Sequence, residues 1–316
     1  MNTWHKIYLF LLPVIVLTNC KPENLGTIPV MNMETISVPT SLNLDHILFE
    51  SEDVGFCASS DSNILFHTQD GGNSWNTIPT AGNIHRIFKN ELGDVFIDQG
   101  SIYRTDFNGA PPVKIAFGGE AEGCTADGSI FVLDYHWGNL NCTIHDPKTG
   151  DEIHHQTLRS FVGTNIMVEN NCVIFWDEFD YWIDIYNVDS NKVHSRGIEA
   201  QYLNNIFIDM HDTLVTSVNS IQQIRPYHYE DNNTYWSKEG YSWEYDFKGI
   251  HGKDDLFATV GKGCVVTNFY TKEGDWTTLV NDDFEPFAHQ LLNVQVINSG
   301  LIYTVGENGI FLKCKI

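Results

Sequence analysis

Basic residues are scarce in this chain. Lys and Arg number 18 against 41 Asp and Glu, a formal charge of -23. Without a basic stripe to release counterions, a nucleic-acid-backbone binder is excluded by the usual route. Adhesion to anionic lipid through surface charge is disfavoured for the same reason. The acidity suits a soluble exported protein, or one that steers a basic partner or holds cations. Bilayer-spanning runs are lacking as well: Ile7 to Leu17 is apolar, but about eleven residues fall short of the ~20 a span needs. Cys-x-x-Cys is absent. Cys57, Cys124, Cys142, Cys172, Cys264 and Cys314 are spread along the chain without paired spacing. They read as small buried strand residues, since a folded portion of about 280 residues forms a core that needs no staples. No Gly-x-Ser-x-Gly and no phosphate-cradling Gly loop occurs. His154 and His155 are adjacent, so on a strand they face opposite ways and share no metal. Asp282-Asp283-Phe284-Glu285 lacks the liganding ladder of a calcium loop. Catalytic residues, cofactor, metal site and nucleic-acid partner are all expected to be absent.

The amino terminus is set apart from the fold. Lys6 precedes the apolar run, which stops at Leu17-Thr18-Asn19-Cys20 before polar Lys21-Pro22-Glu23-Asn24. This resembles the bacterial lipobox, with Leu three residues before a Cys that is acylated; Asn19 departs from the commoner Gly or Ala. The resemblance implies a signal peptide over 1–19, a lipidated Cys20 (diacylglyceryl and palmitate chains) with a tether over 20–33, and a folded domain over 34–316. It also implies a lipid-anchored place in the cell envelope, on the periplasmic side or the cell surface, with no other membrane attachment.

What the chain has in quantity is strand-turn-strand units. The clearest contains Thr68-Gln69-Asp70-Gly71-Gly72-Asn73-Ser74-Trp75. Paired apolar strands recur, with the second of each pair beginning near residues 64, 102, 142, 182, 221, 265 and 310. A step near 40 residues marks a propeller blade. Turns such as Asp70-Gly71-Gly72, Asn108-Gly109 and Asp146-Pro147-Lys148-Thr149-Gly150 follow these strands, using residues that tolerate positive φ and cap their own backbone. Trp75, Val113, Ile153, Val193, Trp236 and Trp276 then fall on the outermost strands. The last unit lacks that strand, and Thr35 to Pro39 is available to supply it. The expectation is an all-β monomer: a single propeller, seven-bladed in preference to six or eight, with four-stranded antiparallel blades closed by N-terminal strand exchange.

The Thr68 to Trp75 stretch resembles the Asp-box, or bacterial neuraminidase repeat. Together with Val260-Gly261-Lys262-Gly263 and Val305-Gly306-Glu307-Asn308-Gly309, it resembles the photosystem II stability/assembly-factor-like propellers. The resemblance implies structural roles for Thr68, Asp70, Gly72 and Trp75: Asp70 accepting bonds within its own turn, and Trp75 packing between neighbouring sheets. It also implies partner docking. However, the arginine-rich patch of that group is not matched, because Arg86, Arg104, Arg159, Arg196 and Arg225 are scattered. The alternative is a sialidase-like glycoside hydrolase. That chemistry calls for an arginine triad and an Arg-Ile-Pro stretch in the first blade, where this chain has no Arg.

A candidate binding face rests on two turns read as longer than the others, on neighbouring blades. One holds Asp134-Tyr135-His136-Trp137-Gly138-Asn139 and the other Asp177-Glu178-Phe179-Asp180-Tyr181-Trp182. Ser237 to Trp243 is expected to reach the same face. Tyr135, His136, Trp137, Asp177, Glu178, Tyr181 and Trp182 form the candidate set: exposed aromatics among acids suit recognition of an envelope protein or a glycan. The plainer explanation is that these rings cap their own hairpins.

Overall fold

The computed structural model describes residues 27–29 and 32–316 apart from 120, 137–138, 159–164, 170, 177–181, 198–204, 209–213, 218–220, 225–235, 240–246, 254–255, 263, 270–276 and 281–288. Among the described residues the regular structure is β-strand, with one short 3-10 turn over Glu307–Gly309. Among the described residues the strands form seven separate sheets, six of four strands and one of five. This is a β-propeller with antiparallel four-stranded blades. Blade one runs from its innermost strand His46–Phe49 through Gly55–Ala58 and Ile64–Thr68 to the outermost, Asn76–Pro79. Blades two to six begin at Arg86–Lys89, Ala121–Cys124, Asn165–Glu169, Asn205–Ile208 and Gly249–Lys253. Blade seven takes three strands from Leu291–Asn298, Leu301–Gly306 and Ile310–Lys315.

The fourth strand of blade seven is Asn32–Ser37, antiparallel to Ile310–Lys315. Val38 and Pro39, read from the sequence as part of this strand, lie beyond it, while Asn32, Met33 and Glu34 join it. Upstream, Thr27–Pro29 lies parallel to Thr277–Val280, the fourth strand of blade six. The segment read as a tether therefore contains backbone paired to two blades.

Sequence dictates the layering. Second strands are covered on both sides by neighbouring blades, so they read as continuous apolar runs, as in Leu256–Gly261 and Leu301–Gly306, each buried throughout. Outermost strands alternate with solvent, as Asn76–Pro79 does with only Ile78 buried. Apolar layers fill the gaps between successive blades: Phe131 and Leu133 of blade three meet Val173 and Phe175 of blade four. At the seam between blades seven and one, Ile297, Tyr303, Val305 and Phe311 meet Leu44, Phe49, Cys57 and Phe66. Side chains lock that seam. Gln295 accepts the Phe49 N–H at 2.6 Å and donates to its carbonyl at 2.9 Å. Asn293 donates to the Asp45 carbonyl at 2.8 Å.

Cys57, Cys142, Cys172 and Cys314 are buried and Cys124 is half-buried; Cys57, Cys124, Cys142 and Cys314 are free thiols. Burial pushes the thiols of Cys57, Cys124, Cys142 and Cys314 up, that of Cys314 to about 12.

Strand order defines two faces. The upper face carries the turns between second and third strands and the connections from each fourth strand to the next blade. The lower face carries the other turns.

Candidate functional site

The hairpin at Thr68–Trp75 lies on the lower face of blade one. Gly71 and Gly72 adopt φ of +68° and +91°, where a side chain is strained. Asp70 accepts the Ser74 N–H at 2.8 Å and its hydroxyl at 2.6 Å, and these bonds hold its carboxyl below the usual carboxylate range. Thr68 Oγ1 donates to Asp70 at 2.8 Å and accepts the Gly72 N–H at 2.9 Å. Trp75 packs on the seam with blade seven, its ring centroid 5.5 Å from that of Phe311 and edge-on to it. Ile36 closes on the same turn, within 3.3 Å of where a Cβ on Gly72 would stand. Thr68, Asp70, Gly72 and Ser74 hold the turn and the Trp75 ring holds the seam, with the Trp75 indole nitrogen buried and without a hydrogen-bond partner.

The upper face of blades three and four differs from the sequence reading. Asp134–Asn139 was expected to be a long turn. Asp134, Tyr135 and His136 instead continue the strand Ile130–His136, opposite Asn141, Leu140 and Asn139. Aromatic side chains suit a pleated ladder, and the pairing leaves only residues 137–138 between the strands. At seven residues each, these two strands exceed the four and five residues of their blade-one equivalents. The hairpin therefore extends the ladder toward the upper face. Trp182 opens the third strand of blade four opposite Gly197. Trp137, Asp177, Glu178 and Tyr181 lie outside the described residues. Ser237 and its neighbours are strand rather than connection, since Trp236–Glu239 pairs with Ile221–Ile224; residues 240–243 also lie outside the described set.

Beside this hairpin, the structure gathers charged groups that sequence reading missed. Glu122, on the innermost strand of blade three, is 2% exposed. Its Oε1 accepts the Gly119 N–H at 2.7 Å. Burial, then the Asp98 carboxylate, push Glu122 up to about 7, against the Gly119 bond and Arg86; Asp134 adds to the rise. Asp98 is itself buried, accepts the Gly100 N–H at 2.9 Å, and lies 3.3 Å from His85 Nδ1. Arg86 crosses between blades to donate to the carbonyls of Glu122 (2.8 Å) and Val168. Gly118 and Gly119 make the crowding tolerable. A Cβ on Gly118 would stand 2.7 Å from Asp98 Oδ1, and one on Gly119 2.3 Å from the Leu133 carbonyl. That Gly-Gly pair was the one signal in the sequence for a close approach here, because the acids come from three strands. Among the described residues, no group of His, Cys, Asp and Glu is arranged to hold a metal ion.

No protein-family profile matches the sequence, and no curated protein matches it. Solved structures do resemble it. A structure of Ycf48 bound to D1 peptide aligns with a TM-score of 0.67 at 14% identity, over 92% of this chain and 97% of that one. Ycf48 from Cyanidioschyzon merolae aligns at 0.63 and 13% identity, over 90% and 98%. The extracellular domain of a putative one-component system, BT4673 from B. thetaiotaomicron, aligns at 0.59 and 12% identity, over 88% of this chain and 42% of that one. At such identities the likeness is one of fold: this chain is a β-propeller of the kind seen in Ycf48.

Proposed function

We propose that this protein is a lipid-anchored cell-envelope scaffold that binds a polypeptide or a glycan without catalysis. The ring is read as seven blades sealed by Asn32–Ser37, with Thr68–Trp75 as an Asp-box hairpin serving the fold. Its ligand is met by the upper face of blades three and four, at Tyr135, His136, Trp137, Asp177, Glu178, Tyr181 and Trp182. The observation that carries this reading is the hairpin of blade three, whose seven-residue strands run one to three residues longer than those of blades one, six and seven and take in Tyr135 and His136. A propeller of the same fold, Ycf48, has been captured with a D1 peptide, which makes a polypeptide the first ligand to test. Acidic neighbours favour a basic stretch of that polypeptide.

The test is capture of envelope proteins by the purified chain, beside a glycan array and a sialoside turnover assay. Replacing Tyr135, Trp137, Tyr181 and Trp182 together by Ala should abolish capture and leave the melting temperature within a few degrees. Lost stability with intact capture would return these rings to a structural role, and sialoside turnover would favour a glycosidase.

A further inference from the structure

The connection from blade two to blade three passes over a pair of buried carboxyl groups. It leaves the outermost strand Val113–Phe117 through Gly118 and Gly119 and enters the innermost strand Ala121–Cys124, which carries Glu122. Asp98 reaches the same point from the end of the second strand of blade two, Asp94–Asp98. Its Oδ1 and Glu122 Oε1 lie 2.7 and 3.2 Å from where a Cβ on Gly118 would stand, so the two carboxyls are neighbours. Glu122 is 2% exposed and Asp98 4%. Two ionised carboxylates this close and shielded from water repel each other, and a proton on one of them removes the repulsion.

Among the described residues, the other charges nearby leave Glu122 without a neutralising partner. Arg86, on the innermost strand of blade two, commits its guanidinium to the carbonyls of Glu122 and of Val168 in blade four. His85 pairs with Asp98 rather than Glu122, and only when protonated. Asp134, on the second strand of blade three, adds a third negative charge. Asp98 has the histidine and the Gly100 N–H, whereas Glu122 has the Gly119 N–H alone. Glu122 is therefore the acid that keeps its proton.

The connection is where this repulsion can be relieved. Gly118 and Gly119 carry no side chains to anchor them and are half-buried, so an outward swing admits water to both carboxyls. Gly119 lies against the Leu133 carbonyl, and Asp134 Oδ1 is 2.9 Å from where its Cβ would stand. Both neighbours belong to the strand Ile130–His136, which ends in Tyr135 and His136. The root of the upper hairpin of blade three is thus packed on the connection.

We propose that Glu122 is a pH-sensitive latch at the junction of blades two and three. Protonated, it lets Gly118 and Gly119 close over the carboxyl pair and brace the hairpin; ionised, it drives the connection open and frees the hairpin root. Resting on the proposed function, the ligand face is held in order in acidic surroundings and loosened in alkaline ones.

Hydrogen–deuterium exchange of the full chain, corrected for the intrinsic pH dependence of amide exchange, tests the latch without any ligand. The closed state holds its proton up to about 7, against an ordinary value of 4.5 once the carboxyl is solvated, so opening becomes easier as pH rises between the two. Protection of peptides covering 117–124 and 130–136 should fall about tenfold or more from pH 5 to pH 8, while that of Ile64–Thr68 in blade one holds. Glu122→Gln should keep both peptides protected at both pH values. Asp98→Asn, which removes the neighbouring charge, should halt the fall at a lower pH. A flat wild-type profile, or a fall shared equally by blade one, would overturn the latch without needing any variant to fold. An undiminished fall in Glu122→Gln would overturn it as well. Capture absent at every pH with the exchange profile intact would sink the binding reading and leave the latch standing.

Discussion

Trp75 and Ile153 stand at equivalent places, where the outermost strand of a blade begins, and their surroundings are opposite. Trp75 is wedged against Phe311 and lines the cluster that joins blades seven and one. Ile153 is 59% exposed, and Val113 and Val193, its counterparts in blades two and four, are 64% and 44% exposed. The hairpin chemistry before each is similar: Asp106, like Asp70, accepts backbone N–H bonds from its own turn. What differs is reach. An indole spans the widening gap to the neighbouring blade, whereas a β-branched side chain of four or fewer carbons stops short. A repeat position thus specifies where a residue sits, and its size decides whether it joins two blades or faces water.

The largest effect should come from the packed seam. Phe311 is fully buried and touches Phe49, Tyr303 and Trp75, so Phe311→Ala should cost about 3–5 kcal/mol of unfolding free energy in denaturant titrations. A loss below about 1 kcal/mol would mean that the seam is not where the ring is held.

Next come two buried titrating groups with opposite signs. Glu122 is raised from 4.5 to about 7, so the folded state retains a proton that the unfolded chain releases. Stability should fall as pH rises from about 4.5 to about 7 and stay reduced above it. Glu122→Gln should recover up to about 3 kcal/mol at pH 8 and change little at pH 4. An equal effect at both pH values would contradict the burial of an ionising carboxyl. His251, on the innermost strand of blade six, accepts the Val296 N–H on Nδ1 at 3.3 Å. Burial, with Lys253 and Lys89 behind it, lowers it from 6.5 to about 4. Its contribution is lost as pH falls from about 6.5 to about 4, and thermal melts of His251→Asn should be flatter over that window. The smallest effect belongs to the exposed rim: Ile153→Thr should stay within about 0.5 kcal/mol of wild type, and a larger loss would reveal a contact across blades three and four.

The four-stranded propeller plan was legible because the strands of each blade are close in sequence, and because the Asp, Gly and Asn turns recur at a fixed step. Thr68, Asp70 and Gly72 were readable for the same reason, since their bonds are made within a few residues. The innermost strands were harder to see: Ala121–Cys124 and Asn165–Glu169 carry little of the alternation that marks a half-exposed strand. The stretch Asp134–Asn139 looked like a turn because its polar residues interrupt the apolar run, yet cross-strand pairing carries the ladder as far as His136 opposite Asn139. The Asp98, Glu122 and Asp134 grouping was illegible, because it depends on how two blades abut.

Under the proposed function, ligand meets the upper hairpins of blades three and four rather than the exposed rim. A photo-crosslinking residue placed at 135, 113 or 153 in the full-length protein, followed by irradiation of intact cells, tests it most directly. Adducts should form from position 135 and not from 113 or 153. Adducts from the rim positions, with none from 135, would contradict it.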